Sequence, residues 1–495
     1  MLKSKAIDIL KTFSKEEFRR FEDFVASPYF NKSKNLINLS ISLKKFFPDF
    51  NSEEMTEQVI YNKAFPDNKY SYSMMRNLMS ELLQLCEKFI LNDLLNQNLF
   101  SDPKNLIDLL DEYQERGLEN LFKIRFRKVD EEIRNSKIDI ELYKSLSRLE
   151  ILKQEFEYSN YSWKQKLRES YFKSAEYDLC NIVRLLFRNS NSIFFSSSNI
   201  GGDVNESVFY KLVKKININE LLTELAPVNT EEKFFIEINL KLLLLTTSTD
   251  NEKIFYDVKN SIFTNIDLFS NGERYTLLSI LRNYCRYKMD LNRSPFKEEL
   301  YLVNKLQLEK IDFSIDKLES ALYNIYEETF AISVAKKDYK YAEIFIEKYK
   351  NLLEEGIREV VYGFVKAYLN FEYGKYDKTI EILSKIKIPN WHSYLRIKIL
   401  YLKAYYELGY YEEAFTILDA LKHFINKEQK IAEDGKKQYN ILFGVYFRIF
   451  KYKTEPQRYS QFEISKLQDD INNLTLIAGK EWFNEKAEEL KKIVK

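Results

Sequence analysis

Glycine and proline are scarce, 11 and 8 among 495 residues. A β-rich fold draws on both for its many tight turns, so long helices joined by short polar links are expected instead. Cysteine is scarcer still. Cys86, Cys180 and Cys285 lie far apart, in no C-x-x-C arrangement. An odd, scattered set fits a reducing compartment better than a disulfide framework, and predicts three buried small hydrophobes. Histidine occurs twice, as His392 and His423, neither with a second ligand at metal-binding spacing. One falls at a helix start and the other near a helix end, where a cation suits the dipole, so both read as structural and no metal is expected. No G-x-S-x-G elbow, kinase signature set or dinucleotide fingerprint is present, and neither catalysis nor a cofactor is expected. Long apolar runs are also missing. Leu242 to Leu245 falls far short of the roughly 20 residues that cross a bilayer. The N-terminal stretch MLKSKAIDILKTFSKEEF is broken by charge too often for a signal peptide. A cytoplasmic protein without a membrane partner is therefore expected. Neither charge sign dominates: 76 Lys and Arg stand against 75 Asp and Glu, so no global field recruits nucleic acid.

Large side chains are abundant, with 37 Phe and 35 Tyr in a chain that is 45% apolar. They read first as filling between helices and second as an aromatic-lined groove for a partner. Ser14 and Glu17 form a capping-box pattern, after which Phe18, Phe21, Phe24 and Val25 share one helical face up to the break at Pro28. A second helix is predicted over 34–47. A third, capped by Asn51 or Ser52, is predicted to run to about Ala64. A strongly amphipathic helix follows, carrying Met75, Leu78, Met79, Leu82, Leu85, Cys86 and Phe89. The stretch MTEQVIYNKAFPDNKYSYSMMRNLMSELLQL resembles the helical half of a winged-helix domain in bacterial transcriptional activators. That resemblance implies DNA reading through residues 52–91. Against it, the helix continues where a wing would begin, and residues 1–98 hold 14 Lys and Arg beside 13 Asp and Glu, with no basic footprint.

Residues 1–98 thus read as an N-terminal helical domain and 99–188 as a region of long helices, opened by Asp102 and Pro103 and interrupted near Gly117. Tyr158, Tyr161, Trp163, Tyr171, Phe172 and Tyr177 are expected to fill between these helices. Ser, Asn and the pair Gly201-Gly202 dominate 189–207, which reads as a linker or mobile loop. Shorter helices fill 208–495.

A repeat emerges near the carboxyl end. GYYEEAFTIL from Gly409 has counterparts in GKYDKTIEIL from Gly374 and KDYKYAEIFI from Lys337, at offsets of 35 and 37 residues. With Ala404, Tyr405 and Ala414 flanking the Gly409 turn, residues 323–425 resemble tetratricopeptide repeats, whose period is about 34 residues. Lys337 departs from the turn glycine, and Thr379 from the small residue that Ala342 and Ala414 supply. The resemblance implies an all-α superhelix of helical hairpins, with final helices, including Trp482 and Phe483, capping its end. In such arrays the first helix of each unit lines a groove. The matching positions here are Phe364, Tyr368 and Phe371 from one unit and Arg396, Ile399, Lys403 and Tyr406 from the next. This surface suits an apolar peptide or helix carrying an acidic residue. Lys403 stands where chaperone-binding repeats carry asparagine. The whole chain also resembles uncharacterised bacterial helical proteins with an SPYFN-type motif, here Ser27 to Asn31. A non-catalytic interaction scaffold for a protein or peptide partner is the expected function, with a DNA-binding regulator as the alternative.

Overall fold

The computed structural model describes residues 4–493 apart from 98, 100–101, 160–163, 201–202, 231, 249, 291–294, 316–317, 389, 432 and 475–479. Among the described residues there are 24 α-helices and no strand, only a single bridge between Ile138 and Phe269. The chain divides into two compact units, Met1–Ser136 with Glu141–Ile182, and Lys137–Ile140 with Val183–Lys495.

The first unit contains α1 (Lys5–Leu10), α2 (Lys15–Ala26), α3 (Lys34–Lys44), α4 (Glu57–Ala64), α5 (Tyr72–Gln97), α6 (Pro103–Glu115), α7 (Glu119–Arg134), α8 (Leu142–Ser159) and the start of α9 (Lys164–Ile200). Local chemistry sets several of these boundaries. The Glu17 N–H donates to Ser14 Oγ at 3.1 Å and the Ser14 N–H donates to Glu17 Oε2 at 2.7 Å, so two orphan donors of α2 are satisfied reciprocally. The face so oriented buries Phe18, Phe21, Phe24 and Val25. Phe21 and Phe24 meet Phe89 of α5 with ring centroids 5.4 and 5.6 Å apart. Burial of each such side chain contributes about 1.5–3 kcal/mol. α4 begins later than its sequence suggests, because Thr56 rather than Asn51 or Ser52 accepts the capping hydrogen bond, from the Val59 N–H at 3.3 Å. α5 runs unbroken to Gln97, and among the described residues no strand of a wing follows it.

α9 overturns the linker reading of 189–207: residues 189–200 continue the helix. Serine and asparagine cost at most about 0.7 kcal/mol each in a helix, and packing outweighs that. Ser190 is fully buried, and the Phe194 ring lies 5.2 Å from Tyr287. Gly201 and Gly202 lie outside the described residues. The division between units falls earlier, between Ile182 and Val183. Of the aromatics expected to fill between helices, Tyr177 is buried, whereas Tyr171 and Phe172 are exposed. Tyr161 and Trp163, with the side chain of Tyr158, are outside the described set.

The second unit continues with α10 (Val208–Val213), α11 (Ile218–Leu225), α12 (Lys233–Thr247), α13 (Glu252–Asn265), α14 (Asn271–Asp290), α15 (Pro295–Lys310), α16 (Glu319–Ala335), α17 (Tyr339–Tyr349), α18 (Glu355–Glu372), α19 (Tyr376–Ser384), α20 (Trp391–Leu408), α21 (Tyr411–Lys427), α22 (Glu433–Thr454), α23 (Gln461–Asn472) and α24 (Lys480–Lys491). From α11 onward each helix packs on the next in sequence. No helix among the described residues is long and apolar enough to cross a membrane. The three cysteines are buried. Burial pushes the Cys86 thiol up to about 12, which keeps it protonated and unreactive.

One turn recurs through the hairpins. Lys337, Gly374 and Gly409 adopt left-handed φ angles of 59°, 72° and 76°. After each, the next N–H donates back over five residues: Asp338 to Ser333 O, Lys375 to Asn370 O, and Tyr410 to Tyr405 O, all at 2.9 Å. This satisfies a carbonyl left open by the ending helix. The same turn joins α6 to α7, where Gly117 has φ 68° and the Leu118 N–H reaches Tyr113 O at 2.8 Å. Close approach beside these turns uses Ala342, Thr379 and Ala414, all fully buried. Thr379 fits because its hydroxyl donates to Ala367 O at 3.2 Å and Lys375 O at 3.1 Å. A left-handed lysine costs about 1 kcal/mol more than glycine. Lys337→Gly should therefore stabilise the protein by about 1 kcal/mol, whereas Gly374→Ala, whose Cβ meets no atom within 4 Å, should cost a similar amount through the backbone alone. Thermal unfolding checks both; a lowered Tm for Lys337→Gly contradicts the assignment of strain.

Candidate protein-binding groove

α16, α18 and α20, the first helices of three successive hairpins, pack side by side. Their amino-terminal halves leave a cavity of about 450 Å³. Its floor is apolar, with Val361 and Phe364 from α18 and Ile397 from α20. Its polar side is built around Arg396. The guanidinium NH1 donates to Glu327 Oε1 of α16 at 2.5 Å, and its carbon lies 4.3 Å from the Phe364 ring centroid. Stacking on a ring and pairing with a carboxylate hold the guanidinium in one orientation, yet 40% of the side chain stays exposed. Tyr323 sits in the same wall, its hydroxyl pushed up by burial and then by the charge of Glu327. Asn390 caps α20 at the rim, its Oδ1 accepting from the Ser393 N–H at 2.9 Å, and exposed His392 follows it.

The seven residues expected to line one open groove divide into two groups. Phe364 and Arg396 line the cavity, and half-buried Ile399 packs against the neighbouring apolar cluster. Tyr368 is half-buried, edge-on to Phe330 at 6.0 Å, and Phe371, Lys403 and Tyr406 are buried outright. These last three are not open to a partner in this structure. For Lys403 and Tyr406 the cause is α24. Its Trp482 ring lies edge-on to Tyr406 at 5.5 Å, and Trp482 Nε1 donates to Glu407 Oε1 at 2.9 Å. Lys486 Nζ pairs with the same carboxylate oxygen at 2.8 Å. Lys403 Nζ lies 5.5 Å from the Trp482 ring centroid and 5.9 Å from that of Tyr368. Trp482 and Phe483 do pack inward, as expected of the final helices, which among the described residues are α22, α23 and α24.

Burial drives the Lys403 ammonium down to about 8, opposed by the charge of Glu372. Burial pushes the Glu372 carboxyl up, opposed by the Tyr339 hydroxyl at 3.1 Å and by Lys403, while Glu481 and Glu485 of α24 push it further. Sequence reasoning passed over Glu327, Tyr323 and Glu407. Glu327 lies 69 residues from the arginine it holds, and Glu407 lies 75 from Trp482, so no local spacing marks either pair. Among the described residues no cluster of three or more His, Cys, Asp or Glu could hold a metal ion.

The fold and site together define an all-α chain of helices packed in neighbouring pairs, with a cavity between α16, α18 and α20. No protein-family model matches the chain, and no curated protein or solved structure is significantly similar to it.

Proposed function

We propose that this protein is a tetratricopeptide-like interaction scaffold, and that the cavity between α16, α18 and α20 seats one segment of a partner protein. The recurrent left-handed turn at Lys337, Gly374 and Gly409 supports the repeat reading. The observation that carries the binding reading is Arg396, oriented over Phe364 by Glu327 and still partly exposed at the mouth of an apolar cavity. Such a surface suits a peptide or helix that inserts an apolar side chain and places a carboxylate against the guanidinium. The scaffold is read as non-catalytic and without a cofactor.

Capture by the immobilised full-length chain tests this. Arg396→Glu should reduce recovery of a specific partner at least tenfold, and Phe364→Ala should do likewise, with thermal unfolding of the Arg396 variant unchanged. Equal recovery by all three proteins removes the cavity as the docking surface. The DNA-reading alternative rests on α4 and α5. There Arg76 and Lys88 are exposed, but α5 continues straight through the place of a wing, and no structural observation favours that reading.

A further inference from the structure

The positions expected to continue the groove beyond the cavity, Lys403 and Tyr406, are covered by α24. α24 is seated by Trp482, Phe483, Ala487 and Leu490, with Lys486 reaching Glu407. Yet the surface beneath it is incompletely satisfied. Among the described residues, the hydroxyls of Tyr406 and Tyr446 are buried without a hydrogen-bond partner. Both rings touch the tryptophan of α24, at 5.5 and 5.8 Å. Beside them lies the buried ammonium of Lys403, and Glu481 and Glu485 of α24 add charge of the same sign as Glu372. Tyr406, Tyr446 and Lys403 all lie against the Trp482 ring of α24, so these costs bear on the seat of α24. Buried donors left unmade and like charges brought together weaken a contact selectively.

We propose that α24 is an exchangeable occupant of this surface, and that a partner's amphipathic helix takes its place. The recognising chemistry is read from the seat. Two adjacent aromatic residues, the first a tryptophan whose N–H reaches Glu407, fill the space between Tyr406 and Tyr446. A lysine or arginine four residues on completes the pair with Glu407. A carboxylate in reach of Lys403 and Tyr406 supplies what α24 leaves unmade. The inference rests on the reading of the groove as a docking surface, but it concerns the surface under α24 alone. An occupant tethered in the same chain lowers the apparent affinity of any free helix by the fraction of molecules that are closed.

A capped synthetic peptide of residues 480–491 serves as the probe, with binding followed by fluorescence anisotropy. Full-length protein carrying Trp482→Ala and Lys486→Ala should bind the peptide at least tenfold more tightly than the unaltered chain. A peptide with Lys486→Glu should lose that gain, and Glu407→Lys in the weakened chain should restore it. Native-state hydrogen exchange on the unaltered protein provides a second measurement. Amides of α24 should exchange through a local opening at least tenfold faster than those of α20 and α21. Absence of the affinity gain, or exchange of α24 only together with α20 and α21, overturns the proposal and leaves α24 a fixed cap. Partner capture through Phe364 and Arg396 is read separately, so loss of either result leaves the other standing.

Discussion

Glu273→Ala should lower the stability of the second unit by about 3–5 kcal/mol, because it strands a cation in the interior. Arg184 of α9 and Glu273 of α14 have side chains only 6% and 5% exposed, and NH2 of the arginine meets both carboxylate oxygens, at 2.5 and 2.6 Å. Arg184 NH1 also donates to Asn239 Oδ1 of α12 at 3.3 Å, so one guanidinium ties three helices together. Burial opposes the charge on both partners, pushing the glutamate up and the arginine down, and the charge of each works against that shift in the other. Desolvation therefore absorbs most of what the attraction supplies. Replacing both residues by methionine should cost less than either single methionine substitution, since no unpaired charge is left behind. Urea unfolding of the two single variants and the double variant closes the cycle. A double variant as unstable as the sum of the singles would show that the pair, rather than its desolvation, sets the stability.

Lys403→Met should raise stability by about 3 kcal/mol at pH 7. The ammonium titrates near 8 in the folded chain against 10.5 when solvated, and each unit of difference is about 1.4 kcal/mol. The unfolded chain holds this proton more tightly, so the stability of the unaltered protein rises with pH between about 8 and 10.5 on account of this group. The penalty is complete below pH 8 and fades toward pH 10.5. The advantage of methionine should accordingly be full at pH 7, smaller at pH 9 and nearly absent at pH 10.5. Urea unfolding followed by tryptophan fluorescence can read this, since Trp482 lies against the lysine. A constant difference across that range would mean that packing, not charge burial, separates the two side chains. A lysine kept at such a cost is consistent with a surface that trades stability for recognition.

Several boundaries were legible because they rest on neighbours within five residues. The Ser14 and Glu17 capping box, the Asp102 cap before Pro103 and the turns at Gly374 and Gly409 each close hydrogen bonds inside one helical turn or hairpin. The fourth turn, at Gly117, was visible only as a link, because no matching hairpin sequence surrounds it. The run 189–200 misled for the opposite reason. Its serines and asparagines read as linker, while Ser190 and Phe194 are held in α9 by packing that composition does not encode.

Composition, breaker scarcity and the spacing of apolar residues determined by themselves that the chain is helical and that its carboxyl-terminal helices come in hairpins. Those properties follow from local periodicity and from apolar faces that one hairpin cannot hide from water. Which of the seven groove residues stay open was decided only in the tertiary structure. Phe364 and Arg396 keep their cavity because Glu327 turns the guanidinium toward the Phe364 ring. Lys403 and Tyr406 lose theirs to α24, through contacts that join residues far apart in sequence and are therefore set by packing geometry rather than by local pattern.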